Sequence, residues 1–407
     1  DKEKFIEYNI RDVEILEALE KKLKFIELTV LISHICHTPY ESIHYNTVLN
    51  EGAILTYLKR KGIVAPNKPT TVNPTIKEIF NGDHVVHQRG TPTIEGFVHS
   101  IDDDQVTVKT MAGKYLIRAL KTVKRKDGYA GGYLLDPIPG LYFDVVDLDF
   151  KSLYPSLIKT INIGIETLVG CLVTKDNYEQ QYSLEKLKLL PPEDIVEIQK
   201  LDRHTYTLQQ TKVKRGSLVK LIEKNNWSVS ASGAFFRTDI KSISCEVLED
   251  WFDKRNYYKG LMKVAGREEN WDDYGLYHLY QMAFKILQNA LYGTYAVNSW
   301  RFTDGFKICS SAITNSGQRL TKESITFTDE YIAKELNKPE TKYIRASDTD
   351  SMYIETTDLL IHKHPNFKSL EKQDKIQKTI EIANVIQNVA NENLNNIAND
   401  LFNVHGK

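Results

Sequence analysis

The stretch Tyr343-Ile-Arg-Ala-Ser-Asp-Thr-Asp-Ser-Met-Tyr-Ile-Glu355 sets Asp348 and Asp350 between two β-prone arms. Two such arms around a short polar stretch read as a hairpin with both carboxylates at its tip. Alone, an Asp-x-Asp pair is usually a solvated turn, because Asp favours turns through its own backbone hydrogen bonds. A second strand pattern changes that reading: Asp144-Val-Val-Asp-Leu-Asp149 ends on another acid and runs on into Phe150-Lys-Ser-Leu-Tyr-Pro-Ser156. Acids at the ends of two strands suit hard cations such as Mg²⁺, which take few protein carboxylates and complete their shells with phosphate oxygens and water. A pair of such ions about 3.5–4 Å apart is the arrangement used for in-line displacement at phosphorus.

Between the two acidic segments lies Lys285-Ile-Leu-Gln-Asn-Ala-Leu-Tyr-Gly293, inside a proline-free run from Tyr277 to Tyr295 rich in Leu, Ala, Met and Gln. That composition predicts a helix, and its spacing puts Lys285, Asn289 and Tyr292 on one face. In isolation the plainer reading is an amphipathic helix with a lysine at its edge. A second proline-free run, Ile243 to Val264, carries Arg255 and Lys259 four residues apart, and the polar segment from Gly266 to Gly275 separates the two. An antiparallel helical hairpin is expected, with Arg255, Lys259, Lys285 and Asn289 as a triphosphate cradle. In such a cradle arginine grips phosphate bidentately while lysine acts as a point charge.

With these motifs in this order the chain resembles family B DNA polymerases, and is most similar to the type encoded by large tailed bacteriophages. Motif A is Asp149-Phe-Lys-Ser-Leu-Tyr-Pro-Ser156, motif B is Lys285-x-x-x-Asn289-Ala-Leu-Tyr-Gly293 and motif C is Asp348-Thr-Asp-Ser351. Tyr129-Ala-Gly-Gly132 resembles the Tyr-x-Gly-Gly element that joins the editing and polymerising halves. Tyr8-Asn-Ile-Arg-Asp12 resembles the third motif of the proofreading 3′-5′ exonuclease, although Tyr-x-x-x-Asp alone usually marks a surface helix. Ala290 stands where the family usually has Ser, and Ala346-Ser347 where Tyr-Gly is common; these departures spare the acids and the cradle and bear on contacts to the primer end.

The resemblance implies an α+β fold with an antiparallel palm, helical-hairpin fingers and template-directed addition of deoxynucleoside triphosphates to a primer 3′ end. Asp149 and Asp350 would be the principal ligands of two Mg²⁺ ions, with Mn²⁺ as an alternative; Asp348 takes a lesser catalytic role and the Phe150 carbonyl completes one shell. Leu153 and Tyr154 would border the incoming nucleotide, the Tyr154 ring lying under the deoxyribose and rejecting a 2′-hydroxyl. Arg255, Lys259, Lys285 and Asn289 would hold the triphosphate, and Tyr292 the nascent base pair. Tyr129, Gly131, Gly132 and Gly293 would touch the template, while Tyr8 and Asp12 would be an exonuclease remnant.

Implied partners are primer–template DNA, dNTP, exonuclease and thumb segments outside these 407 residues, and a sliding clamp through a C-terminal region also outside them. The chain then reads as a core fragment, with no exonuclease activity expected from it alone. The alternative is a non-catalytic DNA-binding or assembly fragment of a split or truncated polymerase. Tyr154 argues against an RNA-making enzyme, and the motif order against a reverse transcriptase.

The expected divisions are an exonuclease tail at 1–40, a linker at 41–81, a small β-barrel insertion at 82–125, first and second palm parts at 126–240 and 299–407, and fingers at 241–298. Short strands at His84–Gln88, Ile94–His99, Gln105–Lys109 and Lys114–Arg118, set off by turn residues, give the insertion an SH3-like reading. Lys109, Lys114, Arg118, Lys121, Lys124, Arg125 and Lys126, with no acid among them, favour contact with a DNA backbone despite the overall charge of −1. The insert from Thr174 to Trp227 is expected to hold a helix after Pro191-Pro192 and also holds the basic Lys212-Val-Lys-Arg215; a long helix is expected from Ser369 to Phe402, apolar at Ile376, Ile380, Ala383, Ala390, Leu394, Ile397 and Leu401. Cys36, Cys171, Cys245 and Cys309 lack metal or disulfide spacing, which points to a reducing, cytoplasmic setting, that of the host if phage-encoded. No apolar run reaches membrane-spanning length.

Overall fold

Proline-free helical runs and short paired strands divide the computed structural model into two compact units, Asp1–Pro69 with Ile243–Thr303, and Thr70–Ser242 with Asp304–Lys407. The structure describes residues 2–65, 84–87, 94–102, 105–110, 113–117, 123–125, 131–173, 182–202, 207–297, 300–304, 307–338 and 342–404.

The first unit is helical. Helix α1 (Lys2–Leu23) has no buried residue and is parted from α2 (Phe25–Cys36) by Lys24 in the left-handed region. Residues expected to be a linker instead hold α3 (Asn46–Lys61), whose Leu49, Ala53, Ile54 and Leu58 are buried. An apolar stripe of that kind needs a packing partner, and α3 has one in the long hairpin of α7 (Ile243–Arg267) and α8 (Trp271–Thr294). Tyr57 on α3 donates to Glu246 at 3.1 Å, and Arg301 donates to Glu51 at 3.1 Å. Within the hairpin Tyr258 stacks on Tyr280, ring centroids 4.4 Å apart. The polar turn expected between Gly266 and Gly275 shrinks to Glu268, Glu269 and Asn270, because the Asn270 side chain accepts from the Asp273 N–H and caps α8 early. Asp272 and Asp273 in that first turn face the positive end of the helix dipole.

The second unit is built on antiparallel sheets. Strands β1 (His84–His87), β2 (Ile94–Asp102), β3 (Gln105–Thr110), β4 (Gly113–Ile117) and β5 (Val123–Arg125) form one sheet in the order β4-β3-β2-β1-β5. The four strands read from the sequence are all present and β5 adds a fifth. Arg118, Lys121 and Lys126 of the basic run lie outside the described residues.

A central sheet joins β6 (Leu134–Leu135), β7 (Val145–Asp149), β13 (Ile344–Asp348) and β14 (Ser351–Glu355) in the order β6-β13-β14-β7. Behind it, Ile344, Met352 and Ile354 share a core with Ile332, Leu359, Leu360, Phe367, Ile382 and Ile386. Those residues come from α9 (Ile308–Glu335), α10 (Thr357–Lys363), the short turn at Phe367 and α11 (Lys372–Phe402). Asp329 of α9 accepts the N–H groups of Tyr343 and Ile344 at 2.6 and 3.0 Å, pinning the start of β13. In α11 the buried anchors are Ile382, Ile386, Leu401 and Phe402, whereas Ile376 and Ile380 of the expected stripe are exposed; α11 begins beyond the edge of the core it covers.

The third sheet, β10-β9-β8-β12-β11, is made of β8 (Leu168–Leu172), β9 (Ile195–Asp202), β10 (Thr207–Lys214), β11 (Ser228–Val229) and β12 (Ala234–Phe236). Here the helix expected after Pro191-Pro192 is corrected. A short α5 (Leu184–Leu189) precedes the prolines, strands β9 and β10 follow, and α6 (Arg215–Asn225) comes only after them. The β-branched alternation of Ile195-Val-Glu-Ile198 favours extended chain. The basic Lys212-Val-Lys-Arg215 has local acid partners: Lys212 with Glu197, Lys214 with Glu193 and Arg215 with Asp194.

Candidate active site

Backbone register brings the acidic segments together. Ser351, the first residue of β14, pairs with Asp149, the last of β7, and with Asp348, the last of β13. The Phe150 N–H donates to the Asp350 carbonyl at 2.7 Å, so the ends of both acidic segments are adjacent. Asp147, two residues back on β7, lies on the same strand face as Asp149.

Burial pushes the Asp350 carboxyl above the ordinary carboxylate range, and Asp149, Asp348 and Asp147 add to the push through like-charge repulsion. Asp149 is shifted the same way, by burial and then by Asp147. Partly desolvated anions held against one another are what a bound cation relieves. Among the described residues no three acid, imidazole or thiol groups form a ready-made metal nest. This donor set of few carboxylates fits Mg²⁺ shells completed by phosphate oxygens and water.

The hairpin tip is strained. The Asp350 N–H bonds back to the Asp348 carbonyl at 2.6 Å, closing a three-residue turn around Thr349, whose φ is 56°. A β-branched residue at positive φ is an outlier, costing on the order of 1–3 kcal/mol. The surroundings hold it there. Thr349 donates its N–H to the Tyr133 carbonyl at 2.7 Å, and its own carbonyl accepts from Thr321 of α9 at 3.1 Å. Gly132 completes the clamp, since a Cβ there would lie 2.2 Å from Thr349 Oγ1. Gln318 of α9 donates to the Gly131 carbonyl at 2.7 Å. The Gly-Gly pair is therefore built against the acidic turn; Tyr129 lies outside the described residues.

Helix α4 (Leu153–Ile161) begins inside motif A, directly after Ser152 at φ 58°. Leu153 is buried and Tyr154 half-buried, and the Tyr154 ring rests on Gly317 of α9, where a Cβ would stand 3.0 Å from Tyr154 Cε1.

The expected cradle belongs to the helical unit. Arg255 and Lys259 are half-buried on α7; Lys285 and Asn289 are exposed on α8, with Tyr292 half-buried and Gly293 exposed about one turn beyond Asn289. Arg255 Nη1 donates to Gln288 Oε1 at 3.4 Å, while its buried Nε has no hydrogen-bond partner among the described residues. Burial holds that guanidinium below its usual proton affinity. Tyr8 and Asp12 are exposed on α1, the plain surface-helix placement.

Sequence reasoning passed over Asp147, Thr349, Gly317 and Gln318. Asp147 was legible as the i−2 neighbour of Asp149 on a strand, and a glycine within a helical run is a known sign of close packing.

An acid-tipped antiparallel sheet and a long helical hairpin carrying Arg255, Lys259 and Lys285, both in one chain, define a mixed helix and sheet protein. The model for DNA polymerase family B matches residues 45–398, and the chain belongs to that family. It is 26% identical over 354 residues to DNA polymerase 1 of Sulfolobus acidocaldarius, covering 87% of this chain and 30% of that protein. It is 22% identical over 396 residues to the DNA-directed DNA polymerase of Enterobacteria phage T4, covering 92% and 37%. A 50-residue stretch, 12% of this chain and 6% of the relative, is 52% identical to the DNA polymerase of Thermococcus sp. 9oN-7. The family B DNA polymerase structure from Pyrobaculum calidifontis covers 90% of this chain and 34% of its own, at 18% identity and a TM-score of 0.47. Archaeal relatives thus stand beside the phage one that the sequence suggested, and the chain spans about a third of the length of these relatives.

Proposed function

We propose that this chain carries the catalytic part of a template-directed DNA polymerase, the central sheet serving as palm and α7–α8 as fingers. The observation that supports it most directly is the register that sets Asp149 and Asp350 side by side. Divalent cations bound by Asp149, Asp350 and the Phe150 carbonyl would supply the charge that favours ionisation of the primer 3′-hydroxyl and departure of pyrophosphate. The chain's own residues do the rest. Arg255, Lys259, Lys285 and Asn289 bind and orient the triphosphate, Tyr154 fills the space beside the sugar C2′, and Tyr129, Gly131, Gly132 and Gly293 meet the template strand. Each of these roles favours the transition state by positioning and charge, which is how phosphoryl transfer is catalysed where no covalent intermediate is needed.

Primer extension tests the reading. Asp149→Asn and Asp350→Asn should each abolish extension, a loss of more than about a thousandfold, because a preorganised charge at the reacting phosphate is worth at least two to three decades. Asp348→Asn should cost less. Wild-type extension by Asp350→Asn would exclude the assignment.

A further inference from the structure

A buried glycine in the interior of a long helix is unfavourable for that helix, so its presence asks for a steric reason. Gly317 lies in the buried face of α9. A Cβ at this position would sit 3.0 Å from Cε1 of Tyr154, against ordinary contacts of 3.5 Å to Leu153 Cδ2 and Leu157 Cδ1. Among the described residues only the Tyr154 ring is too close. The ring is thus backed directly by the bare backbone of α9, and the neighbouring Gln318 fixes that same turn of helix through the Gly131 carbonyl.

We propose that Gly317 is a specificity-determining positioning residue, setting how far the Tyr154 ring projects toward the sugar of the incoming nucleotide. The proposal rests on the reading of Tyr154 as the residue beneath C2′. A methyl group at 317 requires the ring to give by a few tenths of an ångström, and with α9 closing one side the ring moves away from that helix. The space for a 2′-substituent narrows, and the deoxyribose itself fits less well. Tyr154 does the excluding; Gly317 fixes its reach.

The test combines a stability cycle with a selectivity cycle on the whole chain, using wild type, Gly317→Ala, Tyr154→Ala and the double variant. In thermal unfolding Gly317→Ala should lower the Tm of the wild type yet raise that of Tyr154→Ala, since without the ring only the better helix former remains. In primer extension Gly317→Ala should cut dNTP efficiency by roughly threefold to tenfold, mainly through KM, as expected if an ångström of misplacement costs about a hundredfold. It should also lower the ratio of ribonucleotide to deoxynucleotide incorporation. Tyr154→Ala should raise that ratio, and the double variant should match Tyr154→Ala. Additive Tm shifts would overturn the contact. A ratio unchanged by Gly317→Ala in an assay where Tyr154→Ala shifts it would overturn the positioning role. A ratio unchanged by Tyr154→Ala would instead remove the Tyr154 reading, and this inference with it.

Discussion

Burial and like-charge neighbours make Asp149 and Asp350 harder to ionise, and the chain tolerates this because the strand ends are fixed by backbone bonds and not by these two carboxylates. Stability and activity should therefore part company at these residues. With chelator present, Asp350→Asn removes one of four clustered charges while keeping the shape of the side chain, so the Tm should rise by a few degrees as extension is lost. Thermal unfolding followed by circular dichroism measures it; a lower Tm would show that the ionised carboxylate makes a stabilising contact. Arg255 is the opposite case. Among the described residues its partly buried guanidinium has one long bond to Gln288 and an Nε with no hydrogen-bond partner, which suits the phosphate-binding role proposed for it.

At the scale of elements, α9 shows how a buried helix can rest on one side chain. Asp304, fully buried, accepts from the N–H groups of Ile308 and Cys309 at 3.0 and 2.7 Å. Asp304→Ala would orphan both donors and should destabilise the protein by about 2–4 kcal/mol, a lost cap plus buried unsatisfied groups; urea unfolding would show it, with Asp304→Asn milder. This helix was also the element hardest to see beforehand. Its buried face mixes Ile308, Ala312, Ile313, Leu320 and Ile332 with Ser310, Thr314, Ser316, Gly317, Thr321, Ser324 and Thr328, and these small polar residues blur the apolar stripe that a periodicity argument looks for. The α7–α8 hairpin and the acid-tipped strands were legible because proline-free helical composition and strand patterns ending on acids are local signals. The β9–β10 hairpin was missed because a proline pair was read as a helix start, and α3 because the segment around it was taken as a connection. The strained Thr349 turn could not be read at all, since what holds it is supplied by Gly132, Tyr133 and Thr321, distant in sequence.

Across the whole molecule, the way the 84–125 sheet is threaded has a consequence for how this protein can be altered. Its first and last strands are neighbours, with Val85 opposite Arg125 and His87 opposite Val123. The chain therefore leaves the sheet about where it entered, separated by roughly 5 Å, the spacing of paired strands. Replacing residues 84–125 with a short Gly-Ser bridge should leave the cooperative unfolding of the remainder unchanged, as judged by calorimetry, since neither end of the rest would need to move. A loss of that transition would mean the sheet is integral to its host. Such threading would make the segment a cassette: it could be removed or replaced as one piece while β7, β13 and β14 keep their register.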